Sequence, residues 1–85
     1  MSRVRKVIVT RKFERNVKSL RDKSFSERVK KVIGKIIEEP WIGKPLRFDL
    51  KGERSLHIGP YRLIYAIEND TLVLLRFLHR KKVYR

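Results

Sequence analysis

The sequence predicts an α+β fold in the order β-α-α-β-β-β, with two N-terminal helices packed on one face of a mainly antiparallel four-stranded sheet. Three observations carry this. A β-branched run opens the chain, two stretches of helical period follow and stop at Pro40, and the remainder alternates in runs separated by tight-turn sequences.

The first strand is expected over Arg3 to Thr10, where Val7 and Val9 lie on one side and Ile8 on the other. From Arg11 to Leu20 the apolar residues Phe13, Val17 and Leu20 recur at i, i+4 and i+7. That spacing makes an amphipathic helix whose solvent side carries Arg11, Lys12, Arg15 and Lys18. Ser24-Phe25-Ser26-Glu27 has capping-box spacing for a second helix. Val29, Val32, Ile33, Ile36 and Ile37 continue it to Glu39, and Pro40 forbids a further turn. Pro40 to Pro45 reads as a loop, with Trp41 expected to pack on the core, and Asp49 to Gly52 reads as a turn. Ser55 to Ile58, Tyr61 to Ile67 and Thr71 to Leu78 are then strands. Gly59-Pro60 joins the first two, and Asn69-Asp70 makes a two-residue hairpin between the last two, because Asn and Asp tolerate positive φ. No repeat or low-complexity stretch interrupts the order, and one domain over residues 1–85 is expected.

Composition narrows the function classes. Lys and Arg number 23 against 9 Asp and Glu, a formal charge of +14, which draws polyanions before any contact forms. The 41% hydrophobic share is that of a folded domain rather than a disordered basic tail. With no cysteine and two histidines, neither a disulfide framework nor an ordinary zinc site is expected, and no metal or cofactor is assigned. Asp49-Leu50-Lys51 echoes a fragment of a metal-nuclease motif, but no second acid is placed to complete it. The apolar runs are too short for a signal peptide or a membrane span, and the basic helix lacks the bulky apolar face of a membrane binder, so the cytoplasm is expected. The charge has two poles: residues 1–24 carry nine basic and two acidic side chains, and residues 76–85 carry five basic and no acidic ones.

The chemistry-bearing residues fall between His57 and Tyr84. Arg62 sits on a strand, on the side opposite to Tyr61, Leu63 and Tyr65, and a guanidinium there needs a partner. An ion pair with Glu53 or Glu68 is one option and a bidentate phosphate grip is the other. His79-Arg80-Lys81-Lys82-Val83-Tyr84-Arg85 mixes cations with a ring, which suits single-stranded nucleic acid: cations follow phosphates and a ring stacks on a base. With Arg11, Lys12, Arg15, Lys18 and Lys51, the cations Lys81, Lys82 and Arg85 form the expected nucleic-acid-binding set, which the family resemblance drawn below makes RNA-binding. RNA can be cut without metal when its 2′-OH attacks the adjacent phosphorus, given a base, an acid and charge stabilisation.

Gly59-x-Tyr61-Arg62-x-x-Tyr65, then an apolar strand, then His79-Arg80-x-x-x-Tyr84 resembles the RelE/ParE toxin superfamily. The resemblance spans the chain and includes the element order and the Leu50-Lys51-Gly52 turn. It implies a RelE-like toxin held inactive by a small acidic, RelB-like antitoxin. RelE members cut messenger RNA in the ribosomal A site, and ParE members poison DNA gyrase. Carried over, the RelE pattern makes Arg62 and Arg80 the phosphate and transition-state cations, and Tyr84 the stacking or proton-transferring aromatic. Family members often carry basic residues before the glycine, where this chain has Ser55 and His57, so His57 and His79 are both candidates for the base. The expected activity is ribosome-dependent messenger-RNA cleavage. A ParE-like gyrase inhibitor, or a member that binds RNA without cutting it, is the alternative.

Overall fold

The computed structural model describes residues 4–82, the side chain of Lys82 excepted. The elements are β1 (Lys6–Val9), α1 (Arg11–Lys18), α2 (Lys23–Glu38), β2 (Lys44–Pro45), β3 (Glu53–Ile58), β4 (Tyr61–Glu68) and β5 (Thr71–His79). Short 3-10 turns occupy Phe48–Leu50 and Arg80–Lys82. The sheet runs β1-β5-β4-β3-β2, antiparallel except for the parallel pair β1–β5.

The α+β architecture is the expected one with a fifth strand added. Lys44 and Pro45, expected in a loop, pair with Ser55 and Arg54 as a two-residue edge strand. An edge position suits Pro45, which has no N–H to give a central ladder. The start of α2 also differs from the Ser24 capping box. Asp22 is the cap, its carboxylate accepting from Ser24 N at 2.9 Å and Ser24 Oγ at 2.7 Å. An ionised acceptor at a helix N-terminus satisfies the open N–H groups and meets the helix dipole better than a hydroxyl does. Thr10 caps α1 by accepting from Phe13 N, while its own hydroxyl donates to Leu75 O and ties the helix start to β5. The Asn69-Asp70 hairpin forms as expected, with Asn69 at φ 58°.

Alternation divides the sheet into two chemically distinct faces. On the helix side, Phe13, Val29 and Ile36 bury against Ile58, Leu63, Tyr65, Leu72, Leu74 and Phe77. Phe13 meets Phe77 edge-on, and Asn16 Oδ1 accepts from Phe77 N at 3.0 Å, so α1 lies along β5. Among the described residues no α-helix covers the other face. A register shift between Ile64 and Tyr65 opposes two β5 residues, Leu75 and Arg76, to the step and turns both toward the helix-free side. There the loop after β2 folds back, and Leu46 and Leu50 pack with Ile64, Leu75 and Leu78.

Trp41 departs from its expected core position. It is 56% exposed, with the Arg54 guanidinium 4.9 Å from its ring centre. Tyr65 holds the loop that carries Trp41, donating to Pro40 O at 2.8 Å and accepting from Gly43 N at 2.9 Å. Among the described residues no helix is long and apolar enough to cross a membrane.

Candidate functional site on the helix-free face

Antiparallel pairing places directly opposed residues on one face, so the register itself assembles a row of side chains. His57 stands opposite Arg62 and Arg62 opposite Leu78. One step along, Lys44, Ser55, Ile64 and Arg76 form a second row across β2, β3, β4 and β5. Arg62 therefore sits on the central strand, on the face no helix covers, with Nη1 3.5 Å from the hydroxyl of buried Ser55. Of the two carboxylates considered as its partners, Glu53 is engaged by Arg76 in a half-buried ion pair that bridges over β4, and Glu68 lies at the far end of the strand.

The same end of the sheet holds the start of the C-terminal basic segment, His79 and Arg80. Tyr61 opposes His79, and Arg80 N donates to Pro60 O at 2.8 Å, which pins the start of the last turn beside the Gly59-Pro60 corner. Gly59 is at φ 60°, and a Cβ there would stand 3.0 Å from the Phe25 ring and 3.4 Å from Arg28 Nη1. Only glycine fits this corner without strain. Arg28, for which no local sequence signal existed, reaches this corner from α2 on the helix side, its guanidinium 5.0 Å from the Phe25 ring centre.

The two histidines are separated by the sheet. His57 is exposed on the Arg62 face, whereas His79 is on the helix side, edge-on to Tyr61 at 5.6 Å, with Nδ1 accepting from Lys81 N at 3.3 Å. The basic residues of α1 are exposed on the helix side as well, and Lys18 is paired with Glu14 there. Lys51 and Lys81 are exposed; the Lys82 side chain, Tyr84 and Arg85 lie outside the described residues. The structure thus brings His57 and Arg62 together, sets Arg80 at the same end of the sheet, and leaves Arg11, Lys12, Arg15 and Lys18 on a separate surface. Lys44 and Arg76, not singled out from sequence, share the helix-free face. Lys44 had no local signal, because only its pairing with Ser55 puts it on this face, whereas a charge within an apolar strand was the signal for Arg76. Among the described residues no group of three His, Asp or Glu side chains converges as a metal site would require.

Residues 7–84 match the model of the ParE toxin of type II toxin–antitoxin systems. The chain belongs to the RelE/ParE toxin superfamily. Toxin RelG of Mycobacterium tuberculosis is 38% identical to it over 74 residues, covering 84% of this chain and 85% of RelG. Toxin RelE of the same organism is 33% identical over 82 residues, covering 93% and 84%. The toxin's fold superposes on a chain of the M. tuberculosis toxin–antitoxin complex RelBE2 with a TM-score of 0.75 at 36% identity, covering 88% of this chain and 96% of that one. The toxin is accordingly of the type II toxin–antitoxin kind, and these three relatives carry RelE-side names.

Proposed function

We propose that this toxin is a ribosome-dependent messenger-RNA endonuclease that works by metal-free attack of a 2′-OH on the adjacent phosphorus. The observation that carries the proposal is the opposition of His57 and Arg62 on the open sheet face. In the reaction the 2′-oxygen bonds to phosphorus as the 5′-oxygen leaves, giving a 2′,3′-cyclic phosphate. His57 is the base of choice because it shares the face of Arg62, while His79 is turned to the helix side with Nδ1 already accepting a hydrogen bond. Arg62 and Arg80 stabilise the charge that grows on the non-bridging oxygens, and guanidinium forks suit that geometry. Tyr84 enters this scheme through the family resemblance, as a stacking or proton-transferring group.

Its partner in the cell is a small acidic antitoxin. The charge of +14 supports this, as does the RelBE2 complex that the fold resembles. The outer edge of β1, where Val7, Ile8 and Val9 are 40–48% exposed, offers unpaired backbone groups beside apolar side chains on which an extended acidic segment can add a strand.

A translation reaction programmed with one defined messenger, followed by mapping of new 5′ ends, tests the activity. Cuts confined to ribosome-bound message are expected. The match to a ParE model favours one rival, gyrase inhibition. Intact message together with blocked supercoiling would establish that rival.

A further inference from the structure

Phe48 is the most exposed large apolar side chain described, at 90%, and its backbone is at φ 57°. Both facts run against a phenylalanine: a bulky residue avoids the left-handed region, and an aromatic ring ordinarily finds cover. The conformation is fixed on either side. Leu50 N donates to Arg47 O at 3.1 Å and Lys51 N to Phe48 O at 3.0 Å, closing the 3-10 turn, while Leu46 and Leu50 anchor it to Ile64, Leu75 and Leu78. Strained residues held by well-anchored turns cluster at functional sites.

The surroundings point to what that task is. Beside the ring lies an open groove of about 410 Å³ lined by Lys44, Pro45, Leu46, Arg47 and Leu50. Lys44, Arg47 and Lys51 stand against the single acid Asp49 in this turn, so the groove is set in a cationic rim. The groove opens on the Arg62 face: Leu78, Arg62's opposite number in the register, belongs to the cluster that Leu46 and Leu50 complete. A flat ring amid cations, at the margin of a face already read as phosphate-binding, is complementary to an unpaired base with phosphates on either side.

We propose that Phe48 is a stacking platform for one nucleobase of single-stranded RNA, with Lys44 and Arg47 meeting the neighbouring phosphates. It rests on the endonuclease proposal and extends its substrate path from the Arg62 row to the β2–β3 loop.

The test uses the full-length chain and a short unstructured oligoribonucleotide carrying 2-aminopurine, whose fluorescence is quenched on stacking. Phe48→Gly should weaken binding about tenfold and abolish the quenching, within the range of roughly 1–3 kcal/mol per stacked base. Phe48→Trp should restore both. The salt dependence should be the same in all three proteins, because the phosphate contacts remain. Thermal stability should not fall in Phe48→Gly, since glycine adopts positive φ without strain, so a folding defect is not an alternative cause. Unchanged affinity and quenching in Phe48→Gly would overturn the platform even if the wild type cuts message on the ribosome. So would loss of antitoxin binding alone, which would make Phe48 a protein contact. Failure of the endonuclease proposal has a different signature: message left intact by the wild type and by both Phe48 variants alike.

Discussion

The phenol of Tyr65 shows how one residue can hold a loop in place. Fully buried, it donates to Pro40 O and accepts from Gly43 N, and so clamps the turn that leads from α2 into β2 and the Phe48 groove. Gly43 is part of the same fit, since a Cβ there would come within 2.6 Å of the phenol oxygen. Tyr65→Phe should cost about 1–3 kcal/mol by leaving buried groups unsatisfied, read as a lower midpoint in urea unfolding. Burial raises the phenol above its ordinary value of 10.0, opposed by the Gly43 hydrogen bond and the Arg54 charge. The neutral phenol's contribution is therefore complete below about pH 10 and is lost as pH rises through the folded-state value, where the donor to Pro40 disappears. Wild-type stability should fall on that alkaline limb more steeply than that of Tyr65→Phe, and parallel limbs would contradict the assignment. That Tyr65 faces the core was legible from strand alternation. The exposure of Trp41 was not, because the guanidinium it stacks on comes from Arg54, a residue distant in sequence whose approach depends on the β2–β3 pairing.

Elements defined by local period were readable, and those defined by distant pairing were not. Phe13, Val17 and Leu20 sufficed for α1, and Asn69-Asp70 for the β4–β5 hairpin, because the signal and the structure occupy the same residues. The same hairpin register is what carries Arg62 to Leu78 and Tyr61 to His79, so that much of the site was legible too. Lys44–Pro45 is a strand only because Ser55 and Arg54 meet it, and β1 lies parallel to β5 only after both helices have crossed between them. That parallel placement leaves β1 at an edge with exposed Val7, Ile8 and Val9. Ile8→Asp puts a negative charge where an acidic strand would dock. It should weaken antitoxin binding at least about tenfold, the equivalent of about 1.4 kcal/mol, measured by calorimetry at low salt. Cleavage by the free toxin should be unaffected. Equal antitoxin affinity would move the docking surface away from β1.

Across the whole molecule, charge and face act together. Cations cover the helix side through Arg11, Lys12 and Arg15 and the opposite side through Lys44, Arg47 and Lys51, so the toxin presents two basic surfaces rather than one groove. Only the helix-free one carries His57 and Arg62. Ribosome binding spread over both surfaces should depend steeply on salt; with roughly five phosphates neutralised, log K should fall against log salt with a slope of about −3 to −4. A flat dependence would show that the charge does not hold the complex. Catalysis should instead be concentrated at Arg62. Single-turnover cleavage of ribosome-bound message by Arg62→Ala and Arg62→Lys, measured with ribosome affinity and thermal midpoint, tests this most directly. The account predicts that Arg62→Ala cuts on the order of 10² to 10³ more slowly, as on losing an oxyanion donor, while affinity and midpoint stay near wild type. Arg62→Lys should recover only part of the rate, since an ammonium lacks the fork. Wild-type cleavage by Arg62→Ala, or slowing that merely tracks a fall in midpoint in both variants, would contradict it.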